Sequence, residues 1–121
     1  MAALEPLPLS PRPGAAAIAR RYIADVGRRL NLEGSVLADL QLLTSELVTN
    51  AVLHAGTPLE LTVTVSDCVT VMVHDIGDGE PQITSGEVGG WGLRLVDQLS
   101  VRWGVLPADP GKIVWFDLPL G

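Results

Sequence analysis

Three short groups of residues carry the types and spacings from which a nucleotide pocket can be built. Glu46 and Asn50 stand four apart in an apolar, helix-periodic segment, with His54 one further step along. Four residues advance a helix by about 400°, so these side chains point the same way. Asp75-Ile76-Gly77-Asp78-Gly79 follows a β-branched stretch. A carboxylate at a strand end accepts a hydrogen bond from an exocyclic amine, and glycines two and four residues later let backbone approach a flat ligand. Gly89-Gly90-Trp91-Gly92-Leu93 opens a helical stretch. Backbone N–H groups at such a helix start suit a phosphate.

Each group also has an ordinary structural reading. Glu46, Asn50 and His54 fit a solvated helix face, with His54 near a C-terminus that favours a cation. Asp-Gly is common turn chemistry, and the third group fits a flexible loop entering a helix. Two familiar phosphate motifs are absent. Gly111-Lys112-Ile113 lacks the upstream glycine and the Ser/Thr of a P-loop. Gly90-Trp91-Gly92 is half a dinucleotide fingerprint, but residue 95 is leucine and no βαβ unit surrounds it. Lys112 itself reads as a turn cation.

The elements that must position these residues follow from periodicity. Residues 1–13 hold four prolines, and Leu7 and Leu9 fit only an edge strand. From about Gly14 to Leu32, Ile18, Tyr22 with Ile23, Val26 and Leu30 recur at helical spacing. Ser35 reads as the N-cap of a second helix running to about Ala55, with Leu37, Leu40, Leu43, Leu47 and Ala51 as its core stripe. Strands are expected at Leu59–Ser66 and Val69–His74, joined at Asp67-Cys68. Residues 76–90 form a long glycine-rich loop. A third helix is expected at Gly92–Leu99. Two last strands, Val101–Leu106 and Ile113–Leu118, flank the turn 108–111, and Trp103 and Trp115 read as core residues within them. The order implies an α+β two-layer sandwich, a mixed, mainly antiparallel sheet with about three helices on one face. One domain is expected over 14–121, preceded by the Pro-rich segment 1–13.

Composition narrows the partners. The net charge is −6, Lys112 is the only lysine and the seven arginines are scattered, so no basic patch for nucleic acid is visible. An anion would instead be held by helix N-termini, glycine-rich backbone and a bound cation. No apolar run approaches the ~20 residues of a membrane span, the N-terminus lacks the pattern of a signal peptide, and the lone Cys68 cannot form an internal disulfide. A cytoplasmic setting is the expectation.

Taken together and in order, the three groups resemble a known superfamily. Glu46-Leu47-Val48-Thr49-Asn50-Ala51 resembles the N-box of the GHKL (Bergerat-fold) ATPases and kinases. Asp75-x-Gly77-x-Gly79 resembles their first glycine box, and Gly90-x-Gly92-Leu93 their second. Within that group the chain is similar to the small anti-sigma-factor serine/threonine kinases and the stand-alone ATP-binding regulators of actinobacteria. Ser45–Ala55, Gly92–Asp97, Arg102-Trp103-Gly104 and Gly111–Trp115 carry the likeness, which spans roughly residues 14–118.

The resemblance implies ATP and Mg²⁺ between helices and sheet. Asn50 would ligate Mg²⁺, and Asp75 would accept from the adenine amino group. Gly77 and Gly79 would line base and ribose. Gly90, Gly92 and Leu93 would turn N–H groups to the phosphates, with Arg94 neutralising their charge. Glu46 would be the catalytic base toward a protein hydroxyl or water. A sigma factor and an anti-sigma-factor antagonist would be the partners in transcription regulation, and a homodimer is implied. The loop Glu80–Gly89 departs from the family pattern: it is short, holds Glu80 and Glu87, and has no lysine or arginine. A kinase therefore stands beside a nucleotide-gated partner switch with little transfer activity. ATP hydrolysis coupled to conformational change, as in the larger relatives, is the least expected reading, since no accompanying domain is expected to do mechanical work.

Overall fold

Alternating apolar and polar residues commit the segment after Pro58 to strands with one buried face. The computed structural model describes residues 2–32, 34–77 and 90–120. In it β3 (Leu59–Val65) and β4 (Cys68–Asp75) pair antiparallel in unbroken register, from Leu59 opposite Asp75 to Val65 opposite Val69. β6 (Lys112–Pro119) lies against the other edge of β4, with Asp75 opposite Lys112 and Val71 opposite Phe116. β5 (Arg102–Pro107) pairs with β6 at the sheet edge. Two short N-terminal strands, β1 (Ala2–Ala3) and β2 (Leu7–Leu9), pair one after the other along β3. All described pairings are antiparallel. Pro8 sits in β2, where an edge position spares it the donor it lacks.

Three helices cover one face of this sheet. α1 (Ala15–Arg29) and α2 (Gly34–His54) pack on each other, and α3 (Gly90–Leu99) packs on α2. The core lies between the layers. Leu61, Val63, Val69, Val71, Val73 and Phe116 from the sheet meet Ile23, Val26, Leu40, Leu43 and Val48 from the helices, all essentially inaccessible. Burying each such side chain contributes about 1.5–3 kcal/mol.

Several expectations are corrected in detail. α1 ends at Arg29 rather than Leu32, because Asn31 takes a left-handed backbone (φ 56°) that closes the helix. Its buried stripe is Ala15, Ala19, Ile23 and Val26, while Ile18 is 44% exposed. α1 comes close to α2 at buried Gly27, where an added Cβ would lie 2.6 Å from Leu37 Cδ1. Ser35 lies inside α2 rather than capping it, since Gly34 (φ 64°) makes the turn into the helix. α2 buries Thr44 and Val48 beside Leu40, Leu43, Leu47 and Ala51, and leaves Leu37 half-buried. At 21 residues, α2 also reaches the length and hydropathy of a membrane-crossing helix, but its apolar face forms part of the domain core. Trp115 is not a core residue. Val114 and Phe116 take the helix-facing side of β6, so period-two alternation turns Trp115 to the opposite face, beside Met72. Trp103 does pack on the core, and its Nε1–H donates to Asp97 Oδ1 at 2.8 Å, tying β5 to α3.

Candidate functional site

Asp75 ends β4 on the core-facing side, 1% exposed. A buried carboxylate is costly unless paired and hydrogen-bonded. Here Oδ1 accepts from the backbone N–H of Gly77 at 3.0 Å and from Lys112 Nζ at 3.1 Å. Oδ2 lies 3.1 Å from the same ammonium. Lys112 is thus no turn cation. It begins β6 directly opposite Asp75 and is itself buried. Nothing local in the sequence reveals this, because a strand pairing across 37 residues brings the two together. The available hint was a lone lysine at the start of a strand.

The chain leaving Asp75 is clamped on two sides. On one side, Ile76 N–H donates to Thr57 Oγ1 at 3.2 Å. Gly77 presses on Ala55, where an added Cβ would lie 3.1 Å from the alanine methyl. On the other side, Gly111 (φ 87°) packs on the Asp75–Ile76 backbone so closely that a Cβ would fall 1.7 Å from the Asp75 carbonyl oxygen. His74 Nε2–H donates to the Pro110 carbonyl at 3.0 Å, and the Asp109–Pro110 peptide in that turn is cis. Residues 75–77 of the first glycine box therefore sit between the end of α2 and the β5–β6 turn.

That contact sets the Asp75–Gly77 segment at the end of the helix that carries the first motif group. Glu46 and Asn50 are both half-buried on α2. Asn50 stands about 7.5 Å along the axis from Ala55 and Glu46 about 6 Å beyond it. His54 is exposed at the helix end. The third group contributes backbone: Gly90, Gly92 and Leu93 form the first turn of α3, which packs on α2. Arg94 follows, half-buried. Gly79 and the Glu80–Gly89 loop lie outside the described residues. Among the described residues no group of three or more His, Cys, Asp and Glu side chains could hold a metal ion. Asn50 offers one oxygen ligand, so a cation there needs ligand oxygens from phosphate and water, the usual arrangement for Mg²⁺.

The histidine kinase-like ATPase domain model covers residues 9–117. The chain belongs to this family. As a GHKL-type domain it shares its α+β fold with solved structures of two kinds. The RsbU and RsbW domains of Rv1364c from Mycobacterium tuberculosis match 97% of this chain with a TM-score of 0.73 and 20% identity, over 33% of that chain. The histidine kinase domain of the Erythrobacter litoralis EL346 blue-light activated histidine kinase matches 87% with a TM-score of 0.58 and 25% identity, over 60% of that chain. The chain thus spans a third and three-fifths of these neighbours' lengths. No curated protein matches it.

Proposed function

We propose that this ATPase-family domain binds ATP with Mg²⁺ and transfers the γ-phosphoryl group to a serine or threonine hydroxyl of a partner protein. The observation that carries the reading is the buried Asp75 carboxylate, set at the Gly77–Ala55 contact where β4 meets the end of α2. Among the described residues its Oδ2 has only the ion-pair contact with the Lys112 ammonium at 3.1 Å, which leaves a lone pair for the adenine amino group. The donor set fits the nucleotide: Asp75 for the base, Gly77 and Gly79 beside base and ribose, and the N–H groups of Gly90, Gly92 and Leu93 for phosphate. Asn50 suits Mg²⁺ shared with phosphate oxygens, and Arg94 adds charge beside them.

Bound Mg-ATP supplies the phosphoryl group and a leaving oxygen whose charge the metal neutralises. Glu46, one helical turn from Asn50, takes the proton of the attacking hydroxyl. The likeness in fold to a structure that includes an RsbW domain is consistent with a partner-switching role; a sigma factor and an antagonist protein as partners, a homodimeric assembly and a cytoplasmic setting go with the motif resemblance. The acidic segment Glu80–Gly89, without lysine or arginine, favours one further reading: a nucleotide-gated switch with little transfer.

Incubation with radiolabelled ATP and candidate antagonist proteins separates the two. Transfer predicts a phosphoprotein that Glu46→Gln abolishes while ATP binding persists. Label transfer by the Glu46→Gln variant at the parent rate removes Glu46 from the mechanism. Partner affinity that differs between ATP and ADP with no phosphoprotein selects the switch.

A further inference from the structure

We propose that Lys112 is a positioning residue for base selection, and that the Lys112–Asp75 pair makes the site prefer a 6-amino purine nucleotide over a 6-oxo one. The proposal rests on the ATP reading above and adds the residue that sets its specificity. Three observations carry it. First, Lys112 Nζ bridges the carboxylate, 3.1 Å from each oxygen, with both side chains at or below 10% exposure. Second, the two oxygens are used unequally: Oδ1 accepts the Gly77 N–H at 3.0 Å and a hydrogen bond from Lys112, whereas Oδ2 has only the ion-pair contact with the Lys112 ammonium at 3.1 Å among the described residues. Third, the pair is fixed from the backbone, because Asp75 and Lys112 are register partners and Gly111 packs on the Asp75 carbonyl.

The pair keeps Asp75 a pure acceptor toward the base. An ionised carboxylate only accepts and an ammonium only donates, so Lys112 holds the carboxylate in its ionised, accepting form. Adenine offers the complement, an amino donor at position 6. A 6-oxo purine offers the reverse, a carbonyl acceptor turned to the same carboxylate. A site built of buried polar groups rejects a ligand that leaves them unpaired far more strongly than an apolar pocket rejects a misfit. Lys112 acts through Asp75. It fixes the carboxylate's rotamer and balances its charge, so that the acceptor stays aimed while the base is absent.

The test compares Mg-ATP with Mg-inosine triphosphate, which differs only in the group at position 6 and the proton on the neighbouring ring nitrogen, by calorimetric titration of the whole chain. The parent is expected to prefer ATP by at least thirtyfold. Lys112→Met should weaken ATP at least tenfold and inosine triphosphate less than threefold, collapsing the preference. Lys112→Arg should restore a preference above tenfold. A folded Lys112→Met variant with the parent's preference overturns the role of Lys112 and leaves the ATP reading intact. A parent that binds neither nucleotide overturns both. Where Lys112→Met fails to fold, the parent decides the matter. Lys112 is the only lysine, so selective isotopic labelling with lysine gives a single set of side-chain resonances without altering the buried ammonium. Saturating ATP should shift those resonances, and inosine triphosphate should shift them less. No shift with ATP at saturation overturns the proposal.

Discussion

At the residue scale, the site is organised around one buried charge pair. Two charges taken out of water gain little net stability, but removing one partner leaves the other uncompensated. Asp75→Asn should therefore act twice. It removes the acceptor for an amino group, so ATP affinity should fall by about tenfold or more, as expected when a charged hydrogen-bond partner is lost. It also strands the buried Lys112, so denaturant unfolding should show a loss of about 3 kcal/mol. An unchanged unfolding midpoint would mean that Asp75 and Lys112 are not paired in solution. Asp117, the other buried carboxylate of the described residues, makes a useful contrast. It faces the side of the sheet away from the helices and is held by Arg102 at 3.0 Å and by Thr70. Its role is to join β4, β5 and β6, and its loss should leave nucleotide preference unaltered.

At the element scale, the glycine segment after β4 is shaped by its two neighbours. Gly111 occupies a backbone region that side chains rarely adopt, and its Cβ position is already filled by Asp75. Gly111→Ala should cost more than about 2 kcal/mol in thermal or denaturant unfolding, through backbone strain and the clash together. It should also weaken nucleotide binding by moving Asp75. Much of this was legible in the sequence, for a physical reason. Glu46 and Asn50 are placed by helical spacing, and Asp75 with Gly77 by a strand ending in glycines, and both signals are local. The Asp75–Lys112 pair was not legible, because it depends on β6 rather than β5 lying beside β4. The inward stripe of α1 was misread for a related cause. Alanine carries almost no hydrophobic signal, yet Ala15 and Ala19 are buried while Ile18 stays exposed. Trp115 was misassigned because size suggests burial, whereas the parity of β6 decides the face.

At the scale of the whole molecule, a single core fixes the helix layer on the sheet, and the site lies at one end of that sandwich. The N-terminal strap belongs to the same unit. β2 pairs with β3, Leu9 is buried, and Tyr22 Oη–H of α1 donates to the Glu5 carbonyl at 3.0 Å. Desolvation by burial raises the Tyr22 pKa above its ordinary value, with Arg29 opposing and Glu5 adding to the shift. A phenol whose pKa is higher in the folded state keeps its contribution below the unfolded value near pH 10 and loses it as pH rises further. Stability measured from pH 8 to 11 should therefore be flat with respect to Tyr22 up to about pH 10 and then fall, and Tyr22→Phe should reduce that fall. The central claim is that this domain binds ATP at the meeting point of α2, β4 and α3. Calorimetric titration with Mg-ATP tests it most directly. The account predicts one site per chain, an affinity that drops when Mg²⁺ is chelated, and a further drop in Asn50→Ala. No heat and no tryptophan fluorescence change at millimolar Mg-ATP, from correctly folded protein, would contradict it.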